Sequence, residues 1–162
     1  MRPMNFLAVT APFVAMLALG AVLPSPPALA ADELFLPLLV YRTGPSAPTG
    51  IPIANGMVDY LKLINLRDGG VGGVKIAFEE CETGYNADRA VACYDRFKAR
   101  APLVINPYIT DAAYQLLPRG PVDQIPVHTM GYGVSVTSDG SRFPWMFNFP
   151  ANYWSQAAAF VQ

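Results

Sequence analysis

Leu34-Phe-Leu-Pro-Leu-Leu-Val-Tyr41 is followed, after Arg42, by Thr43-Gly-Pro-Ser-Ala-Pro-Thr-Gly50. Beyond it Ile53, Met57, Tyr60, Leu61 and Ile64 recur at helical spacing. The first run is bounded by breakers, too short for a membrane span and continuous enough for a strand buried on both faces. The periodic segment predicts a helix, with Asn65, Arg67 and Asp68 facing away or ending it and Gly69-Gly70 as its C-terminal stop. A strand, a loop and a helix in this order place the loop at a strand's carboxyl end. In open α/β sheets the binding crevice lies there, so Tyr41 to Gly50 is the first candidate site.

The rest of the chain repeats the unit. Gly69-Gly-Val-Gly-Gly73 follows a helix and precedes a strand, the reverse of a dinucleotide fingerprint, and reads as turn glycines. Val74 to Phe78 predicts the second strand, closing on Glu79-Glu80-Cys81-Glu82, and Asn86 to Lys98 a helix capped by Asn86 with Ala90, Val91, Tyr94 and Phe97 on one face. Pro102 to Ile105 predicts a third strand. Asn106 to Asp111 leads from it into a helix from about 112 to 117, with Thr110 or Asp111 as cap. Pro118-Arg-Gly-Pro121 breaks the chain, Ile125 to His128 predicts a fourth strand, Thr129 to Arg142 a polar loop and Phe143 to Phe149 a fifth strand. A last helix begins near Asn152 and meets no stop signal before Gln162, so the chain is expected to end inside an element. Alternating strands and helices at these intervals predict an α/β fold with a doubly wound, mostly parallel sheet.

The N-terminus has another character. Arg2, the apolar run Phe6 to Leu23 and Pro24-Ser-Pro-Pro-Ala-Leu-Ala30 have the form of a secretory signal peptide over residues 1–30. The apolar core approaches spanning length, but Pro12 and the Ala28-x-Ala30 end favour cleavage over a retained anchor. This segment explains much of why 52% of the 162 residues are hydrophobic and only 14% charged. Residues 31–162 suffice for one domain with a proper core and not for two lobes. A net charge of −1 without a basic cluster speaks against nucleic-acid binding. Arg89, Arg96, Lys98 and Arg100 read as a solvated helix face and its end.

Two cysteines in an exported chain invite a disulfide. Cys81 and Cys93 flank one strand-to-helix turn, and a bridge there is favoured over two buried free thiols; closing so short a loop contributes roughly 3 kcal/mol. A metal site is a poor fit because His128 is the only histidine. Glu79, Glu80 and Glu82 at a strand end read as solvated acids rather than an acid–base pair. Gly133-Val-Ser-Val-Thr137 lacks the second glycine of a nucleophile elbow. No enzyme, catalytic residue or cofactor is expected.

The loops after the strands are more informative, since all open at one carboxyl edge. They supply Tyr41, Arg42 and Thr49, then Tyr108 and Thr110, then Tyr132 between Gly131 and Gly133, and finally Asn152, Tyr153 and Trp154. Aromatics form apolar walls, threonine hydroxyls and amides beside glycine hold a carboxylate, and Arg42 can pair with one. About half of these aromatics are expected in the core instead.

Taken together, Tyr41 to Gly50, Asn55-Gly-Met-Val-Asp-Tyr-Leu61, Asn65-Leu-Arg-Asp-Gly-Gly-Val-Gly-Gly73, Glu79-Glu-Cys-Glu-Thr-Gly-Tyr85 and Val104-Ile-Asn-Pro-Tyr108 resemble the opening of type I periplasmic solute-binding proteins of ABC transporters. The nearest branch is the leucine/isoleucine/valine-binding one. The resemblance runs from about Leu34 to the C-terminus and implies the first of two lobes, hence an incomplete domain over residues 31–162. It implies a periplasmic protein that captures a small organic ligand (an amino acid, an amide, or an organic or aromatic acid) for a membrane permease. In that branch a hydroxyl after the third strand, here Thr110, and backbone contacts after the fourth, here Gly131-Tyr132-Gly133, hold the ligand's polar end. Tyr132 stands where smaller residues are usual, and Ile109 where a further hydroxyl would be, which widens the ligand class beyond aliphatic amino acids. An α/β hydrolase-like enzyme fragment and a membrane-anchored sensing domain are the alternatives. The export reading predicts that the periplasmic protein has the intact mass of a chain beginning at or close to Ala31; the full-length mass in the membrane fraction would replace it with the anchor.

Overall fold

The computed structural model describes residues 33–149 and 151–161; the leader expected over 1–30 lies outside them. Among the described residues five α-helices and four strands follow in the order β1 (Glu33–Val40), α1 (Ala47–Arg67), β2 (Lys75–Glu82), α2 (Ala87–Phe97), α3 (Thr110–Leu116), α4 (Arg119–Asp123), β3 (Val127–Thr129), β4 (Met146–Asn148) and α5 (Tyr153–Phe160). Both strand pairs, β1 with β2 and β3 with β4, are parallel. The fold is the expected parallel α/β arrangement.

The expected third strand is the exception. Segment 103–105 is linked to both pairs but forms no regular ladder: Leu103 N–H donates to the Phe35 carbonyl (2.9 Å), Ile105 N–H to the Pro126 carbonyl (3.0 Å), and His128 N–H to the Ile105 carbonyl (2.9 Å). Strand alternation puts Pro37 on the same side of β1 as Phe35, where a full ladder would need an N–H that proline lacks. The spatial order is therefore β2, β1, segment 103–105, β3, β4. The chain first moves outward from β1 to β2, then crosses back and proceeds the other way, so the order reverses between β1 and segment 103–105.

β1 is covered on both sides, as its unbroken apolar run predicts. Phe35 and Leu39 enter the larger core with Ala90, Val91, Tyr94 and Phe97 of α2, Ala112, Ala113 and Leu116 of α3, and Ile105 and Val127. Leu38 and Val40 meet Ala54 and Leu61 of α1 on the other face. The helical periodicity of α1 is real, but its buried line runs through Gly50, Ala54 and Leu61. Tyr60 is 61% exposed and lies off that line. Asn65, expected to face away or end the helix, clamps β2, donating to the Ile76 carbonyl (2.8 Å) and accepting from the Ile76 N–H (2.9 Å). The glycine stop holds: Gly70 N–H returns to the Ile64 carbonyl (3.2 Å).

Asn86 caps α2 as expected, accepting from the Arg89 N–H at 2.9 Å. Thr110 and Asp111 do not cap α3. The helix starts one turn position earlier, with Ile109 as N-cap and both polar residues inside the first turn. Pro118 to Pro121 does not simply break the chain either; proline is tolerated in a first helical turn, and Arg119–Asp123 forms α4. The fifth strand shortens to Met146–Asn148.

Cys81 at the end of β2 and Cys93 in α2 are joined in a disulfide, with Cα atoms 5.9 Å apart. It fastens the sheet edge to the helix covering it. Blocking reagents applied without reductant should leave both cysteines unlabelled, and Cys81→Ala/Cys93→Ala should lower unfolding free energy by roughly 3 kcal/mol in a urea titration.

Candidate functional site

The carboxyl ends of the strands gather around a cavity of about 260 Å³. Its position follows from the sheet order. At the point of reversal the loops leaving β1 and segment 103–105 diverge to opposite sides and leave a crevice. Tyr41 and Tyr108, one from each of these loops, both line it and meet edge to face with ring centroids 6.2 Å apart. Thr49 and Ile53 enter from the start of α1, Tyr85 from the loop after β2, Thr110 from the start of α3, Met130, Gly131 and Tyr132 from the loop after β3, and Tyr153 from the start of α5.

Seven of the eleven residues singled out by loop position therefore meet here: Tyr41, Thr49, Tyr108, Thr110, Gly131, Tyr132 and Tyr153. Arg42 does not. Its guanidinium donates to both Glu80 oxygens (2.8 and 2.6 Å) and to Asn55 Oδ1 (2.7 Å), so its charge is spent on β2 and α1. The Glu80 hydrogen bond raises the Arg42 pKa still further, and the cation pairs within the fold. Gly133 lies behind the wall. Its carbonyl accepts from the Tyr114 hydroxyl (3.2 Å), and a Cβ on it would sit 2.8 Å from Thr110 Cγ2. Gly131 likewise packs against Thr110, and its amide donates to Thr129 Oγ1 at 2.8 Å, which takes it away from any carboxylate in the cavity. Asn152 caps α5 and Trp154 is 73% exposed; neither lines the cavity.

Tyr85, Ile53 and Met130 are the lining residues that the sequence reading passed over. Tyr85 had a usable signal, since it follows β2 as Tyr41 follows β1. Its backbone lies in the left-handed region (φ 59°), as does that of Tyr108 (φ 58°). Such a conformation costs a residue with a side chain about 1–2 kcal/mol. Local polar groups hold both: Tyr85 N–H donates to Thr83 Oγ1 (3.2 Å) and Tyr108 N–H to Asn106 Oδ1 (2.9 Å).

The result is an aromatic wall without charge. Tyr41 and Tyr85 pair edge to face at 5.0 Å, and Tyr132 and Tyr153 pair at 6.0 Å. No charged side chain from the described residues lines the cavity. Burial raises the Tyr41 pKa, helped by Tyr85 and Tyr132, and pushes that of Tyr108 up to about 12, so these phenols stay neutral. Tyr108 donates to Met57 Sδ at 2.7 Å. The three acids on β2 are all engaged: Glu79 with Arg96 and Arg100, Glu80 with Arg42, and Glu82 with the backbone of Arg42 and Gly84. Among the described residues no cluster of three metal-ligating side chains occurs. The geometry can enclose a small flat or apolar body and offer it hydroxyls.

A family model described as periplasmic binding protein matches residues 33–162. The chain belongs to the periplasmic binding protein family. Among solved structures of this architecture, one from the Pseudomonas fluorescens group described as an ABC transporter permease is 40% identical, with a TM-score of 0.75 over 80% of this chain and 32% of that one. A branched chain amino acid ABC transporter protein from Thermus thermophilus with bound valine is 24% identical (TM-score 0.70, 80% of this chain, 34% of that one). A solute binding protein of an ABC transporter from Rhodopseudomonas palustris BisB5, in complex with 3,4-dihydroxybenzoic acid, is also 24% identical (TM-score 0.62, 75% and 33%). The two at 24% show the fold alone. A search of curated proteins finds no match. The chain thus spans about a third of the length of the periplasmic binding protein structures it matches.

Gly50 tests how tightly α1 is set against the site. A Cβ there would fall 1.9 Å from the Tyr41 carbonyl oxygen and 2.3 Å from its ring, whereas at Gly56 in the same helix nothing lies within 4 Å. Gly56→Ala should stabilise by about 0.5–1 kcal/mol through helix propensity. Gly50→Ala should instead destabilise by about 1–3 kcal/mol or more, since overpacking outweighs that gain. Urea unfolding of the two variants side by side reads the difference.

Proposed function

We propose that residues 31–162 form the first lobe of the substrate-binding component of an ABC importer, exported to the periplasm by the leader at 1–30. The lobe holds a small organic ligand at the cavity for delivery to a membrane permease. The observation that supports this most directly is the uncharged tyrosine wall at the point where the strand order reverses, with Thr49 and Thr110 beside it. Aromatic faces remove apolar surface from water while neutral hydroxyls orient a polar end, which is binding chemistry without a reaction centre. The acids that an enzyme reading would need are tied to arginines and amides.

Among the candidate ligands, a flat or aromatic organic acid fits this wall better than an aliphatic amino acid. With Arg42 held by Glu80 and the Gly131 amide held by Thr129, no cation and few amides among the described residues lining the cavity remain for a carboxylate. That end of the ligand falls to groups outside the described residues. Relatives of the same fold are known with valine and with 3,4-dihydroxybenzoic acid, and these are natural probes.

One lobe gives a weak site. Each neutral hydrogen bond contributes about 0.5–1.5 kcal/mol net, against an association cost of at least about 4 kcal/mol. Calorimetry on residues 31–162 with 3,4-dihydroxybenzoate, valine and short amides should therefore show dissociation constants above about 1 mM. Dihydroxybenzoate should be preferred, and Tyr108→Ala should remove that preference. A micromolar response abolished by Thr110→Ala would show that this chain alone is a complete binder.

A further inference from the structure

The aromatic wall is built from two loops: Thr83 ties them at their base, its N–H and hydroxyl both donating to the Val40 carbonyl (2.7 and 2.9 Å), and one carboxylate joins them further out. Glu82, the last residue of β2, accepts from the Arg42 N–H (Oε2, 2.8 Å), from the Thr43 hydroxyl (Oε1, 3.0 Å) and from the Gly84 N–H (Oε1, 2.7 Å). Arg42 and Thr43 follow Tyr41 in the loop after β1. Gly84 precedes Tyr85 in the loop after β2. The two rings that these loops present stand 5.0 Å apart.

We infer that Glu82 is a positioning residue that sets the Tyr41–Tyr85 wall before any ligand arrives. Three physical facts support this. An ionised carboxylate accepts several donors at once and makes stronger hydrogen bonds than a neutral acceptor. Beyond the Thr83–Val40 bonds both bridged segments are irregular, so the carboxylate orders residues that the strand pairing does not reach. Tyr85 is in the left-handed region, which persists only where its surroundings over-determine it. Glu80 has a different part: it grips the guanidinium of Arg42 and leaves the backbone to Glu82. Preorganisation of this kind raises affinity by removing the cost of ordering the wall on binding. The inference rests on the cavity being the ligand site, but its first readout does not.

The test is a nuclear Overhauser measurement between the Tyr41 and Tyr85 rings in the unliganded protein, with a ligand titration as the second readout. The wild type should show inter-ring cross-peaks. Glu82→Ala should lose them while the α2 amide spectrum stays dispersed. Glu82→Gln, which keeps one oxygen for Thr43 and Gly84 but turns an amide towards the Arg42 N–H, should retain them at reduced intensity and serves if the alanine variant does not fold. Glu79→Ala, which frees only Arg96 and Arg100, should leave them unchanged. With 3,4-dihydroxybenzoate as the probe, Glu82→Ala should weaken binding about tenfold, the scale of one lost charge-assisted hydrogen bond. Undiminished cross-peaks in Glu82→Ala and Glu82→Gln would overturn the inference, whatever the melting temperatures do. Failure of the wild type to bind any probe would count against the functional reading alone, since the ring-to-ring measurement stands without a ligand.

Discussion

The parallel pairing of β1 along its whole length with β2, from Glu33 opposite Lys75 to Val40 opposite Glu82, is the constraint on which the remaining architecture hangs. It makes β1 an interior strand, requires helices on both faces and brings the carboxyl ends of β1 and β2 to the same level. Tyr41 and Glu82 are neighbours for that reason. On the other side of β1 the ladder is cut short by Pro37, and segment 103–105 is attached through a single hydrogen bond to Phe35. The sheet is continuous in order but uneven in its bonding. The reversal of strand order falls where the bonding is sparse, and the cavity opens there.

Charge is managed so that none of it reaches the cavity. Each acid of β2 has its own donors, and Arg42, the cation nearest the tyrosines in sequence, is drawn to Glu80. For Glu82 burial opposes ionisation, but the hydrogen bonds from Arg42, Gly84 and Thr43 outweigh it and hold the carboxyl below its ordinary range. The cavity itself is left to phenols, and burial keeps those of Tyr41 and Tyr108 neutral. An apolar ligand surface entering such a wall meets no desolvated charge. Polarity is confined to hydroxyls that can rotate to suit a partner.

Secondary structure was legible where a local signal was strong. The apolar run of β1, the Asn86 cap and the glycines after α1 are each sufficient, because they act through neighbouring residues in the chain. The third strand was misread for a physical reason: Pro102 to Ile105 has the composition of a strand, but a ladder needs donors on the adjacent strand, and Pro37 removes one from a distant position. Thr110 and Asp111 look like caps by type, yet packing of Ala112, Ala113 and Leu116 against the core draws the helix start back over them.

The cavity was legible by the same logic and failed at the same limit. Loop position placed Tyr41, Thr49, Tyr108, Thr110, Gly131, Tyr132 and Tyr153 together, because the carboxyl ends of parallel strands must share one edge. Residue type could not say where a long charged side chain would turn. Arg42 has the chemistry of a carboxylate ligand, and only the register of β1 on β2, which sets Glu80 within reach, decides that it pairs inside the fold. The amide of Gly131 is taken by the hydroxyl of Thr129, a bond local to its own loop. From its own pattern the chain determined a parallel α/β fold, the edge at which a ligand is met and the aromatic character of the wall, since these follow from periodicity and loop order. Tertiary structure alone decided which polar groups remain free there, because a hydrogen-bond partner is chosen by distance in space and not by separation along the chain.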